Sequence, residues 1–333
     1  MRASIDSSRV VFAASAIVMA GACFSNAGAG LRVPRAFADT AIRELYLPVE
    51  RAFAPMLAQI PVPIAIVPMA LFLVASVAIA TTRNLHARVR MGHALSFALV
   101  ANGVAFCATW STLERSRTDV RTLIGYNAAR VTPERREAFE RYAIARADDV
   151  AAAAASSSRE FVDGAGSEYR VLRAMRAPAG TVVPLKRFHT GLTPVTEKAV
   201  TVPALESYEL VEPPRYAREF IILHENAHLA GFERESDANV IAFFSATSST
   251  DARAAYQAWI LLASTLASES SDVAIRNESV LVRDDIFAGR LLLGFDAGIG
   301  RLDYNAFADV IVGGNPAIVC RIDATLCTIA RQD

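Results

Sequence analysis

The chain has 333 residues, enough for about two average domains. Hydrophobic residues make up 53% and charged residues 20%, an apolar excess that excludes intrinsic disorder and points to membrane segments. Lys+Arg and Asp+Glu both number 34, so the zero net charge argues against nucleic-acid binding, and four cysteines are too few for a disulfide-rich scaffold.

The apolar excess lies in three N-terminal windows that contain no Asp, Glu, Lys or Arg. A helix of about 20 such residues is long enough to cross a bilayer core about 30 Å thick. The sequence therefore predicts three transmembrane helices, over about 10–31, 62–81 and 93–112. For the first of them, a cleaved signal peptide or a lipoprotein signal is an alternative.

The orientation follows from residues 83–90, which carry three arginines and no acidic residue. Short basic loops stay in the cytoplasm. The sequence therefore predicts a multi-pass protein of the inner membrane, with the lipid bilayer as a partner and a cytoplasmic N terminus. Residues 1–112 form the membrane region, in which segment 32–61 lies as an amphipathic piece on the outer surface. Residues 113–333 form an exported domain.

The outer domain is predicted to be mainly helical, with a small β-region. Thr132, Pro133 and Glu134 favour a helix start, and that helix extends to about Ala155. Segment 164–210 is predicted to hold two or three short strands, with β-prone runs at 181–184 and 195–202. Further helices are expected at about 215–230, 233–246 and 251–268, with one or two more in 280–313. The fold class is therefore mainly α (α+β), with a zincin-like outer domain.

Cys320 and Cys327 are the only cysteines outside the apolar windows. Export would place them in an oxidising compartment. The sequence leaves two alternatives open, a disulfide between them or two buried thiols.

The motif that carries chemistry is HExxH, formed here by His224, Glu225 and His228 inside a predicted helix. Residues four apart share one helix face, so both histidines can offer an imidazole nitrogen to one Zn²⁺. Glu225 lies beside them and is suited to take a proton from water, as a general base does.

A catalytic zinc needs a third protein ligand, with the fourth position left to water. Metzincins supply a histidine three residues after the glycine of the motif, but that position is Arg234, which excludes the metzincin class. Glu235 instead begins a helix face that continues through Ala238, Asn239 and Ala242. We expect Glu235 to be the third metal ligand and Asn239 to accept a hydrogen bond from a ligand histidine.

Two neighbouring carboxylates, Glu233 and Asp237, point away from that face and rank below Glu235 as ligands. An alternative without chemistry is that the two histidines form a surface pair and Glu235 is an ordinary helix-start charge.

The segment 235–242, ESDANVIA, resembles the E-x-x-A-[ND] helix of gluzincin peptidases, a form found in CAAX prenyl proteases and ImmA-type peptidases. The resemblance implies a zinc metallopeptidase whose third ligand is the glutamate. A broader resemblance is to an uncharacterised bacterial membrane-protein family, a domain of unknown function with three N-terminal membrane helices and an exported HExxH domain. Its motif reads close to HELAHQRGFAREDEANF, where this chain has HENAHLAGFERESDANV.

The sequence thus predicts a membrane-anchored gluzincin-type peptidase that acts on a peptide or protein substrate in the cell envelope. Segment 195–202 is either an edge strand that pairs with an extended peptide or an ordinary structural strand. An oxyanion stabiliser is expected, with His189, Tyr256 and Tyr304 as candidates. The alternative is a non-catalytic envelope protein with a structural or degenerate zinc site. Substrate and oligomeric state stay open.

Overall fold

The computed structural model describes most of the chain beyond residue 116 and part of the N-terminal region. The described residues are 33–60, 117–157, 170–177, 186–187, 199–202, 206–209, 217–232, 234–267, 282–286 and 299–332, with isolated positions between 74 and 92. The chain divides into two units, one of Met1–Leu45 with Ile60–Arg117 and the other of Tyr46–Gln59 with Thr118–Asp333.

The prediction of three N-terminal transmembrane helices is wrong. In the part of the chain that the structure describes, no helix is both long enough and apolar enough to span a bilayer. The predicted spans, 10–31, 62–81 and 93–112, fall almost entirely outside the described residues. An apolar composition does not by itself make a span, because crossing also requires one continuous helix of about 20 residues.

Within segment 32–61, the first unit contains helix α1, Arg35–Ala41, and the π-helical turn Ile42–Tyr46 follows it, with Tyr46 as the first residue of the second unit. The second unit contains helix α2, Leu47–Ala58, which has both buried and exposed side chains. Leu47 and Ala54 are buried, whereas Val49, Phe53 and Met56 are exposed.

The rest of the second unit is mainly helical, as the sequence predicts. Among the described residues, its α-helices with defined bounds include, in chain order, α3 Val120–Leu123, α4 Pro133–Ser156, α5 Arg218–Leu229, α6 Glu235–Thr247, α7 Ala252–Leu266, α8 Ile299–Val312, α9 Pro316–Ile322 and α10 Cys327–Ala330.

The starts of α4 and α7 follow from side-chain caps. The side chain of Thr132 accepts a hydrogen bond from the backbone N–H of Arg135, and Pro133 occupies the first helical position. Asp251 accepts from the N–H groups of Arg253 and Ala254. Both helices therefore begin where the capping residues of the sequence indicate.

A three-stranded sheet consists of β1 Lys186–Arg187, β2 Ala199–Val202 and β3 Glu206–Glu209, in the order β1-β3-β2. β1 is parallel to β3, and β2 is antiparallel to β3 with Val200 opposite Tyr208. The predicted strand at 181–184 lies outside the described residues, as does the first half of the predicted strand at 195–202. β2 and β3 both contact α5.

The core forms where α4, α6, α7 and α8 meet. Its centre is a cluster of aromatic rings packed edge to face, with the Phe243 ring 5.2 Å from that of Trp259 and 5.8 Å from that of Phe307. Helix α6 is buried on all of its faces from Asp237 to Thr247. This burial begins at Asp237, so it does not include Glu235, the first residue of the helix.

At the C terminus a disulfide joins Cys320 of α9 to Cys327 of α10. The structure thus favours the first of the two alternatives for this pair. The last residue of α10 is attached to α4 by Arg135, whose guanidinium donates to the carbonyl oxygen of Ala330 at 2.9 Å.

Candidate metal centre

Helices α5 and α6 bring three potential metal ligands together. His224 and His228 lie on α5, and Glu235 is the first residue of α6. One ligand atom from each of these residues lies within 4.8 Å of the other two. Among the described residues, no other three His, Cys, Asp or Glu side chains converge in this way.

The distances among the three side chains suit a small metal ion. Nε2 of His224 lies 3.0 Å from Oε2 of Glu235, and Nε2 of His228 lies 3.4 Å from Oε1 of the same carboxylate. The two Nε2 atoms are 3.1 Å apart. Tetrahedral zinc with bonds of about 2.0–2.1 Å separates its ligand atoms by about 3.3 Å, so the observed triangle has the size that Zn²⁺ requires.

The opposite nitrogens of the two rings fix the tautomers. Nδ1 of His228 lies 2.7 Å from the carbonyl oxygen of Phe232, which can only accept, so this nitrogen carries the proton. Nδ1 of His224 lies 2.9 Å from Oδ1 of Asn239, one turn along α6 from Glu235. In their neutral form both rings therefore direct an Nε2 lone pair at the carboxylate, whereas a protonated ring donates from Nε2 to it. Either a metal ion or a proton on Nε2 satisfies the three converging acceptors.

The turn after α5 creates the Phe232 contact. Gly231 has φ +85°, a left-handed conformation that glycine adopts without a steric penalty. Its N–H donates to the carbonyl oxygen of His228 at 2.8 Å, and the N–H of Phe232 donates to that of Ala227 at 3.1 Å. This pair of bonds is the Schellman motif, which ends the helix and turns the chain back. The Phe232 carbonyl is thereby brought against the His228 ring.

The first turn of α6 is attached to α3. Nη1 of Arg234 donates to Oδ2 of Asp119 at 3.0 Å, and the N–H of Val120 donates to Oδ2 of Asp237 at 3.2 Å. The Asp237 carboxylate thus contacts α3 rather than the three converging donors. Burial raises the pKa of Asp237 to about 6. Glu233, the other neighbouring carboxylate, lies outside the described residues.

The electrostatic balance of the group favours an ionised glutamate. Partial burial opposes ionisation of Glu235, but the hydrogen bonds and charges of His224 and His228 outweigh it and hold its pKa well below the usual range. Burial likewise favours the neutral form of His228. The hydrogen bond with Glu235 and the negative charges of Glu225 and Glu235 outweigh that burial and raise the pKa of His228. The group as a whole therefore attracts positive charge.

Glu225, the expected general base, is buried, with an exposed fraction of 5%. Its negative charge contributes to the raised pKa of His228, so its carboxylate lies near the histidines. It is not one of the three converging donors.

Two contacts that support the site could not be read from the motif. The hydroxyl of Tyr46 donates to the carbonyl oxygen of Leu229 at 2.9 Å, at the end of α5 and next to His228. The partner is a main-chain atom 183 residues away, so no local pattern signals this contact. The contact between the Phe232 carbonyl and His228 could not be predicted from the motif either, although Gly231 indicates the turn that brings this carbonyl to the ring.

The three candidates for an oxyanion stabiliser have different places. His189 lies outside the described residues, and Tyr304 lies on α8 with a side chain that is also outside them. The hydroxyl of Tyr256 is buried and donates to Oδ2 of Asp285 at 2.7 Å. The assignment of an oxyanion stabiliser stays a prediction.

The fold and the site define a mainly helical protein with a His–His–Glu group on two consecutive helices. The family model described as "Protein of unknown function (DUF3810)" matches residues 42–281. This match covers well over half of the chain and includes α5 and α6, and the chain belongs to this family. No curated protein and no solved structure matches the chain.

Proposed function

We propose that this protein is a zinc metallohydrolase of the gluzincin type that hydrolyses peptide bonds. The observation that carries the proposal is the convergence of two imidazole Nε2 atoms and one carboxylate at separations of 3.0–3.4 Å. The opposite nitrogen of each ring is engaged by an acceptor, which is the arrangement that orients histidines as metal ligands.

His224, His228 and Glu235 are the residues that would hold the ion. Two imidazoles and one carboxylate form a donor set that suits Zn²⁺, and the same set is used by catalytic zinc sites. Zinc bound there would polarise a substrate carbonyl and lower the pKa of a coordinated water to about 7.

Glu225 is the proposed general base. Its carboxylate accepts a proton from the attacking water and then gives that proton to the departing amine. Two features support this role. Glu225 is adjacent to His224 in the chain, and its side chain is buried rather than turned to bulk solvent.

The exposure of the donors favours catalysis over a purely structural site. The side chain of Glu235 is 54% exposed, whereas those of His224 and His228 are 13% and 15% exposed. The group is therefore open to solvent on the side of Glu235. Structural zinc sites are usually closed by four protein ligands, and the converging group among the described residues has three.

The test is a metal analysis of the purified chain combined with hydrolysis of a fluorogenic peptide library. We expect about one zinc per chain and hydrolysis that a chelator abolishes. Glu225→Gln should keep the zinc and lose the activity. Glu137→Gln, which changes an exposed glutamate of α4, is the matched control and should keep both. A wild-type chain without zinc would overturn the proposal. Zinc without hydrolysis would favour the alternative, a non-catalytic zinc protein.

A further inference from the structure

We propose that Asp119 is a positioning residue for the site and that it holds the candidate ligand Glu235 in place through Arg234. The inference rests on the proposed function, because Glu235 matters for metal binding only if it is a ligand. It adds to that proposal a residue outside the motif, 115 positions before Arg234 in the chain.

Glu235 occupies a place that is weakly fixed by its own helix. It is the first residue of α6, and Arg234 at the N-cap position makes no side-chain capping bond. Ser, Thr, Asp or Asn at this position normally satisfies the free N–H groups and stabilises the first turn. The Glu235 side chain is also half exposed, so packing does not hold it. An external contact must therefore fix this turn.

The Asp119–Arg234 ion pair is such a contact. Nη1 of Arg234 lies 3.0 Å from Oδ2 of Asp119, whose side chain is 19% exposed. The other oxygen of Asp119 accepts the N–H of Thr122 at 2.9 Å, as the cap of α3. The bond from Thr122 thus holds the Asp119 carboxylate in place independently of its contact with the Arg234 guanidinium. An acceptor that is already fixed loses little entropy when the pair forms, which makes this pair more effective than one between two mobile side chains.

Helix α3 is itself attached firmly to the second unit. Val120 and Ile124 are fully buried in the core. The carbonyl oxygen of Ile124 accepts the N–H of Asn315 at 2.9 Å, and the N–H of Asn127 donates to the carbonyl oxygen of Gly313 at 2.9 Å. The turn between α8 and α9 therefore supports α3.

A second bond from α3 holds Asp237, two residues after Glu235 in the chain. The N–H of Val120 donates to the carboxylate of Asp237 at 3.2 Å. Arg234 and Asp237 precede and follow Glu235 in the chain, and both are bound to the same end of α3. The backbone that carries the ligand is thus restrained on each side. Loss of partners that orient metal ligands typically lowers metal affinity by about 10- to 100-fold.

The experiment measures zinc affinity of the full chain by competition with a chromophoric chelator at pH 7.5. The variants are Asp119→Ala, Arg234→Ala and the double variant. We expect each single variant to bind zinc about tenfold more weakly, and the double variant to lose no more than either, because both changes remove the same contact. Asp119→Asn keeps an oxygen that can cap Thr122, and its affinity should fall between that of the wild type and that of Asp119→Ala.

The matched control is Arg136→Ala, which removes a partly buried ion pair with Asp309 between α4 and α8. We expect this variant to lower the Tm and to leave the zinc affinity unchanged, since a general loss of stability does not move a ligand. Thermal unfolding in chelator identifies any variant that fails to fold.

The outcomes separate the two proposals. A wild-type chain that binds no zinc would overturn the proposed function. A wild-type chain that binds zinc, with equal affinity in Asp119→Ala and Arg234→Ala, would overturn the positioning role alone. Equal losses of affinity in Asp119→Ala and Arg136→Ala would also overturn it, because the effect would then be one of stability.

Discussion

Nδ1 of His228 lies 2.7 Å from the main-chain carbonyl oxygen of Phe232, four residues further along the chain. A backbone acceptor cannot be removed by replacing its side chain, so the contact depends on the turn that presents it. That turn depends on Gly231, the glycine with φ +85°. The orientation of one candidate metal ligand is therefore fixed by the conformation of a single glycine.

The first prediction concerns this glycine. Gly231→Ala places a Cβ in a left-handed conformation and should lower the free energy of unfolding by about 1–3 kcal/mol. Zinc affinity should fall as well, because strain in the turn displaces the Phe232 carbonyl from His228. Urea denaturation and chelator competition measure the two effects. Gly92→Ala is the control, since a Cβ at that position meets no atom within 4 Å. An unchanged zinc affinity in Gly231→Ala would contradict the orienting role of the turn.

The second prediction concerns Tyr46, which contacts the end of α5. Tyr46→Phe removes the hydroxyl that donates to Leu229 and leaves the carbonyl of a fully buried residue without this bond. We expect a loss of about 1–2 kcal/mol in the free energy of unfolding, measured by urea denaturation. Tyr126→Phe is the matched control. It also removes one tyrosine hydroxyl and leaves the ring packed against Arg121. Equal stability of the two variants would argue against the contact with Leu229.

Local signals in the sequence located the helices well. Thr132 caps α4 as predicted, Asp251 caps α7 at the start of its predicted range, and Gly231 follows the end of α5. These residues act on backbone groups within a few positions, so their effect can be read without knowledge of the fold. Strand β3 lies in segment 164–210, for which two or three strands are predicted, but no β-prone run marks its position, because its four residues become a strand by pairing with β2 and β1.

Long-range partners could not be predicted. The sequence indicates that Asp237 points away from the ligand face, but it does not show that another element covers the residue, whose exposed fraction is 5%. Helix α3, more than 100 residues earlier in the chain, contacts Asp237. The periodicity of α6 cannot reveal this contact. The charge-free windows near the N terminus are the opposite case. Their composition is evident from the sequence, but it does not establish helices that span a membrane.

The third prediction is a pH dependence of stability. Burial opposes ionisation of Asp119, but hydrogen bonds from Thr122 and Arg234 outweigh it and lower its pKa below 3.8. Because the folded-state pKa is lower than the unfolded one, the contribution is fully present above pH 3.8 and is lost as the pH falls through the folded-state pKa. The stability difference between wild type and Asp119→Asn, measured by urea denaturation in chelator, should therefore shrink below about pH 3.8. A difference that grows with acidity would contradict this assignment.

The fourth prediction concerns the C-terminal disulfide. Cys320 and Cys327 are seven residues apart. Closing a loop of this length lowers the conformational entropy of the unfolded chain and thereby stabilises the fold by about 2.5 kcal/mol. Replacing both cysteines with serine should lower the free energy of unfolding by about that amount. Zinc content should not change, because the disulfide joins α9 and α10 rather than the ligand helices. Loss of zinc from a folded double variant would require a connection between the disulfide and the site that the contacts do not provide.

The last prediction separates the third ligand from its neighbour. The two oxygens of Glu235 each face one histidine Nε2, whereas the carboxylate of Asp237 accepts the N–H of Val120. Glu235→Gln replaces the charged carboxylate with a neutral carboxamide. This change should weaken zinc binding by orders of magnitude. Asp237→Asn keeps an oxygen for Val120 and should keep the zinc.

Chelator competition and metal analysis compare Glu235→Gln with Asp237→Asn at the same pH. For Asp237→Asn we also expect the free energy of unfolding to change by no more than about 1 kcal/mol, since the acceptor for Val120 is retained. Two residues apart, the side chains lie about 200° apart around the helix, so both cannot reach one ion from α6. If Asp237→Asn released the metal and Glu235→Gln kept it, the ligand assignment would be wrong, and α6 would have to bind through its opposite face.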